Sequence, residues 1–173
     1  MPRSSKGGAF ERDISRQLSL WWSSGQHDAW FWRTGGSGGR ATNRAKSGKE
    51  TVNGYGDIMA QCGEAQKLLD IVTIECKKGY NIVSISDLLD LKSGGTMQKF
   101  IDQATKAASL AGTPHWAIIH KRDRRETLLI TNCLEFAGPS WSAQRLMLDD
   151  DILIAPLDLC LTPLTRSKLR DMQ

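Results

Sequence analysis

Apolar residues recur at helical spacing early in the chain. Phe10, Ile14, Leu18 and Trp21 or Trp22 fall on one stripe, which predicts an amphipathic helix over 9–24 facing a core. Ser24 and Gly25 predict its end. Residues 28–33 alternate aromatics with smaller or polar groups and predict a strand. The pattern then vanishes. Residues 34–56 are rich in glycine and in Arg40, Arg44, Lys46 and Lys49, with almost nothing to bury; such a long loop is uncommon unless functional or disordered. Apolar patterning resumes as a short strand over 56–60, a turn or loop around Gly63, and a strong strand over 69–76 rich in β-branched residues. Gly79 breaks that strand. A short helix is expected over 87–91. A longer one over 97–110 buries Phe100, Ile101, Ala104, Ala107 and Ala108, and is closed by Gly112 and Pro114. Strands over 116–120 and 126–131 are joined as a hairpin by the charged turn 121–125. Residues 132–173 form a C-terminal extension, apolar and punctuated by prolines, that the pattern does not assign. The order of helix, strands, helix, strands predicts one α/β domain over 1–173, a sandwich with a mixed sheet.

Composition narrows the class. The chain has 173 residues, 40% hydrophobic and 24% charged, enough for one core and too apolar for wholesale disorder. No apolar run approaches the ~18 residues of a membrane span, and no apolar leader core is present. The expectation is a cytoplasmic protein, in the host cytoplasm if phage-encoded, without a membrane partner. Cysteines at 62, 76, 133 and 160 form no C-x-x-C pair and read as reduced thiols, not a disulfide frame or a zinc site. His115 and His120, five apart in an expected strand, face opposite ways and add no zinc pair.

Charge is distributed unevenly. Residues 1–56 hold nine Lys/Arg against four Asp/Glu, while residues 57–173 hold fourteen against fifteen. The excess behind the net +4 therefore sits in the first third, which suggests a polyanionic partner such as nucleic acid. Arg33, Arg40, Arg44, Lys46 and Lys49, with Lys6 and Lys78, are the candidate phosphate contacts.

The segment Ile74-Glu75-Cys76-Lys77 carries the chemistry. In a strand Glu75 and Lys77 share a face and Cys76 takes the other. Two charged residues side by side at the end of an apolar strand suggest a bound divalent cation; hard Mg²⁺ takes one or two carboxylates and completes its shell with water and phosphate. Asp57 supplies the second carboxylate if strands 57–60 and 69–77 pair antiparallel. Lys77 can then stabilise charge on a phosphate, or orient and help deprotonate an attacking water.

Asp57 followed by Glu75-Cys76-Lys77 resembles the signature of the PD-(D/E)xK nucleases. Five elements in order make the chain similar, over residues 6 to 121, to archaeal-type and phage Holliday-junction resolvases. They are Lys6-Gly7-Gly8-Ala9-Phe10-Glu11-Arg12, Arg33-Thr34-Gly35-Gly36-Ser37-Gly38, Gly56-Asp57-Ile58, Ile74-Glu75-Cys76-Lys77, and a later helix with Gln103 leading to Pro114 and a strand. The resemblance implies a restriction-endonuclease-like α/β sandwich, a mixed central sheet flanked by helices. It implies Mg²⁺ or Mn²⁺ on Asp57 and Glu75, with Glu11 assisting directly or through water, and Lys77 as the catalytic lysine. Arg33 and Ser37 fall near the scissile strand, and Gln103, with Gln98 as rival, near the site. It also implies a homodimer cutting branched DNA, a four-way junction, in recombination and repair. The loop before Asp57 is longer than in compact resolvases, and residues beyond 131 have no counterpart.

Two other readings stand beside it. The same chemistry suits a phage or mobile-element nuclease acting on duplex or branched DNA in repair, replication or restriction. A non-catalytic DNA-binding module would share the basic surface, though an intact Asp, Glu and Lys set argues against it. A phosphate-cradling P-loop is disfavoured: Ser47-Gly48-Lys49-Glu50 lacks the Ser/Thr after the lysine.

Overall fold

A computed structural model describes residues 6–35, 55–81, 95–137, 146–148 and 152–172. Helix α1, Lys6–Trp22, buries Phe10, Ile14, Leu18, Trp21 and Trp22, as its stripe demands. Each such side chain contributes about 1.5–3 kcal/mol. The helix ends where Ser24 and Gly25 adopt positive φ and the Gly25 N–H donates to the Leu20 carbonyl at 2.7 Å.

The strands form two sheets. A small one pairs β1, Phe31–Arg33, antiparallel with β2, Ile58–Ala60. The large one holds β3, Val72–Lys78; β4, His115–Lys121; β5, Thr127–Thr131; β6, Leu146–Leu148; and β7, Ile152–Pro156. Its order is β3-β4-β5-β7-β6. The β3/β4 pair is parallel and the rest antiparallel. The α/β sandwich with a mixed sheet is thus the observed architecture.

Two sequence expectations are corrected. Residues 63–71 are not a turn followed by a strand start; they form helix α2, Gly63–Ile71, which buries Ala65, Leu68 and Ile71. Leu68, Leu69 and Ile71 read as the onset of a strand because a buried helix end and a buried strand share the same short apolar run. Nor does the 57–60 strand pair with the 69–77 strand: β2 pairs with β1, and β3 with β4. The helix expected over 87–91 lies outside the described residues, as does most of the 34–56 loop.

Helix α3, Thr96–Ala111, crosses from β3 to β4 and buries Met97, Phe100, Ile101, Ala104 and Ala108. It packs with Trp116, Ile118, Ile130, Ile152 and Ile154 on one side of the sheet. Ile74, Cys76, Ala117, Ile119, Leu129 and Leu153 alternate to the other side, against α1 and α2.

The extension beyond 131 is built into this second core. A 3-10 turn, Leu134–Ala137, leads on through β6 and β7 to α4, Leu157–Cys160, and α5, Pro163–Arg170. Thr162 caps α5 by accepting from the Thr165 N–H. From α5, Arg166 and Arg170 donate to the Trp21 and Trp22 carbonyls at 2.6 and 2.9 Å. The Trp21 indole returns a bond to the Thr162 carbonyl at 2.8 Å. These guanidiniums satisfy carbonyls that every helix C-terminus leaves open, and their charge suits the dipole there. Trp32 differs from Trp21 and Trp22: it is 57% exposed. Among the described residues no helix is long and apolar enough to cross a membrane.

Candidate active site

β3 places Thr73, Glu75 and Lys77 on the α3 side, beside Ile118 and the buried His120 of β4 and Phe100 of α3. It is an edge strand, and its open edge is covered by Gly56-Asp57. The Asp57 N–H donates to the Ile74 carbonyl at 2.8 Å, and the Cys76 N–H donates to Asp57 Oδ2 at 2.8 Å. The Asp57 carbonyl accepts from the Thr34 N–H at 2.9 Å. Asp57 thus reaches Glu75 without the antiparallel pairing expected from sequence.

Gly56 makes this approach feasible. Its φ is +83°, and a Cβ there would lie 2.7 Å from the Ile74 carbonyl oxygen and 3.0 Å from Thr73 Cγ2. Only glycine meets both demands.

Around Glu75 the contacts are dense. Lys77 Nζ donates to Glu75 Oε2 at 2.7 Å, and Gln103 Nε2, from α3, donates to the same oxygen at 2.9 Å. The rival Gln98 instead bonds Asp102 on the exposed side of α3. Glu11 projects from α1 and pairs with Arg33 of β1, Nε to Oε2, at 3.0 Å. Arg33 is held by two features of α1: that ion pair, and Ser19, whose hydroxyl accepts from the Phe31 N–H at 2.8 Å. Small buried serines at 15 and 19 let β1 lie close to the helix.

The four central groups are deeply buried: Glu75 is 1% exposed, Asp57 5%, Glu11 8% and Lys77 9%. Burial, then the charge of Asp57, pushes the Glu75 carboxyl above the ordinary range, and Lys77 only partly offsets this. Burial and Asp57 raise Glu11 likewise, against Arg33 and Lys77. For Lys77 burial acts to lower the ammonium, but the charge and hydrogen bond of Glu75, helped by Asp57 and Tyr80, outweigh it and leave it above its usual value. Lys77 is therefore a cation at neutral pH. Its Nζ also lies 5.8 Å from the Phe100 ring, which Tyr80 meets edge-on at 4.8 Å.

Three carboxylates face two cations, Lys77 and Arg33. The oxygen donors and the surplus negative charge suit a hard divalent ion. Asp57 and Glu75 are the close pair. Glu11 feels the charge of Asp57 and is tied to Arg33.

Other candidates lie apart from this cluster. Lys78 turns to the α1 side, its Nζ 5.6 Å from the Phe10 ring. Ser37, Arg40, Arg44, Lys46 and Lys49 lie outside the described residues, as does the Lys6 side chain. Sequence reasoning placed Phe100 in the core but not beside Lys77, missed Tyr80, and missed what Gly56 does, although a glycine directly before a candidate carboxylate was visible.

The site makes its own pH prediction. Both raised glutamates hold a proton more tightly in the folded chain. Their contribution to stability is thus greatest below the unfolded value of 4.5 and is lost as pH rises through the folded values. A divalent ion must displace those protons. Mn²⁺ affinity is expected to weaken on acidification by up to about tenfold per pH unit for each proton released. Calorimetric titration in buffers of different ionisation enthalpy checks this, and Glu75→Gln should flatten the dependence.

The family described as "Phage putative PDDEXK endonuclease" matches residues 3–149. No curated protein and no solved structure matches the chain. The matched span contains Glu11, Asp57, Glu75, Lys77 and Gln103, and the chain belongs to this family of phage PD-(D/E)xK endonucleases.

Proposed function

We propose that the chain is a divalent-metal-dependent endonuclease that cuts branched DNA as a homodimer, with the four-way junction as its substrate. The observation that carries the chemistry is the burial of Asp57 and Glu75 together beside the Lys77 ammonium. With one ammonium against two carboxyls, such a set gains from a further cation, which takes the place of the proton that the raised Glu75 carboxyl otherwise keeps.

Asp57 and Glu75 would hold Mg²⁺ or Mn²⁺, with Glu11 reaching it through water; when bound, the ion polarises the scissile phosphate and acidifies a water. Gln103 fixes the Glu75 carboxylate by bonding Oε2, leaving Oε1 for the ion. Lys77, charged and buried, stabilises negative charge as it grows on the phosphate oxygens, and of its two conceivable roles this suits its raised affinity for a proton. Arg33 orients Glu11, and the exposed part of its side chain, 37% accessible, can meet a backbone phosphate. Ser37, Arg40, Arg44, Lys46 and Lys49, with Lys6 and Lys78, supply further phosphate contacts. The junction reading is supported by the ordered resemblance of residues 6–121 to resolvases. A symmetric junction needs two matched cuts, which a twofold dimer provides.

A labelled four-way junction and a matched linear duplex, each with Mg²⁺, Mn²⁺ or chelator, test this beside Glu75→Ala. Paired symmetric cuts in the junction alone, lost in the variant, are expected. Equal cutting of the duplex would keep the nuclease and remove the junction specificity. Binding without metal-dependent cleavage of either DNA would leave a non-catalytic DNA-binding module.

A further inference from the structure

We propose that His115, Cys133 and Glu135 form a second metal site, for Zn²⁺, separate from the carboxylate pair. The separation follows from register. His115 opposes Val72 at the start of β3, whereas Glu75 opposes Ile118, three residues or about 10 Å further along the strand.

The fold brings the three residues together. β4 and β5 run antiparallel, with Ala117 opposite Thr131. Beyond that last pair the Asn132 side chain takes the Trp116 N–H at 2.9 Å, which keeps the two chains adjacent where His115 and Cys133 come together. The 3-10 turn that begins at Leu134 then folds Glu135 back over the thiol. An imidazole nitrogen, the thiol sulfur and a carboxylate oxygen all lie within 4.8 Å of one another. In a tetrahedral zinc site, bonds of 2.0–2.3 Å put ligand atoms about 3.3–3.8 Å apart. Closing the set needs a contraction of about 1 Å, within reach of side-chain rotation.

A second observation points the same way. His115 Nδ1 is buried with no hydrogen-bond partner, an uncommon state for a buried polar atom. The Cys133 thiol is buried and donates to Glu135 at 3.2 Å. One nitrogen, one sulfur and one oxygen donor make a borderline set that suits Zn²⁺ and not Mg²⁺. On binding, the Cys133 S–H proton leaves to solvent, the thiolate and the other two groups bind the ion, and water takes the fourth position. The bound ion would pin the start of β4 to the turn carrying Phe136, which packs against Trp21. The proposal departs from the sequence expectation that neither the cysteines nor the histidines supply a zinc ligand set. His115 and His120 do not combine; the proposed partners of His115 lie two and four residues beyond the end of β5.

The test is titration of the full-length protein with Co²⁺ as the optical probe, followed by Zn²⁺ competition. One equivalent with a thiolate-to-cobalt charge-transfer band is expected. Cys133→Ser should abolish the band, and His115→Gln and Glu135→Gln, which keep the thiol, should weaken affinity by at least about a hundredfold. Glu75→Ala should leave the band intact. Zn²⁺, but not Mg²⁺, should raise the melting temperature of the Glu75→Ala protein. Absence of the band in folded wild-type protein overturns the proposal. So does a band that survives Cys133→Ser, or one lost on Cys62→Ser. Should Cys133→Ser not fold, unchanged affinity in both glutamine variants overturns it equally.

Discussion

Lys77→Ala is expected to lower the single-turnover rate of phosphodiester cleavage by about 10²–10³-fold, the usual cost of removing one positioned electrostatic stabiliser. DNA affinity should change little, because the ammonium is buried and already paired with Glu75 at 2.7 Å, so its contribution is concentrated on the charge that develops at one phosphate during cleavage and not on ground-state binding of the rest of the DNA. The same substitution should move the acid limb of the rate profile to higher pH. Lys77 is one of the groups that holds the Glu75 carboxyl down against burial and Asp57; without it Glu75 keeps its proton to higher pH, and cleavage waits for that proton to leave. Lys77→Arg should not restore the rate, since a planar guanidinium cannot replace a compact ammonium in a closed pocket. A wild-type rate in Lys77→Ala, or an acid limb that stays put, would remove Lys77 from the chemistry.

Gly56→Ala is expected to cost both stability and activity. The new Cβ would have to sit at φ +83° and 2.7 Å from the Ile74 oxygen, which is backbone and cannot swing aside. Left-handed strain and overpacking together predict about 2–5 kcal/mol. At about 2–4 °C per kcal/mol for a chain of this size, calorimetry should show a clear fall in melting temperature. Any relief moves Asp57 away from β3 and breaks its bonds to Ile74 and Cys76. Cleavage should therefore fall further than the folded fraction does, and a variant that melts normally yet cuts at full rate would contradict this account.

How much the sequence disclosed depended on the kind of signal. Helices α1 and α3 were legible because long stripes such as Phe10-Ile14-Leu18 fit only one period. The Glu75/Lys77 pairing on one face followed from strand alternation alone. Helix α2 was hidden because its apolar residues merge with β3 in one run. The partner of β2 could not be read because three-residue strands carry almost no register information. The Asp57–Glu75 approach was anticipated for a wrong geometric reason: a glycine laid against a strand edge achieves what antiparallel pairing was expected to do. The proposed grouping of His115, Cys133 and Glu135 could not be read because ligand spacing was sought along the sequence, whereas the fold brings these residues together across a hairpin.

The grip of α5 on the end of α1 has a consequence for how the chain is made. Arg166 and Arg170 reach carbonyls 145 and 148 residues earlier in the sequence, and contacts of such separation form late and slowly. On the ribosome, α1 emerges first with Glu11 on it but must wait for residue 170 before its C-terminal carbonyls are capped. Nascent chains should therefore close this end of α1 only after residue 170 has been made and released from the ribosome.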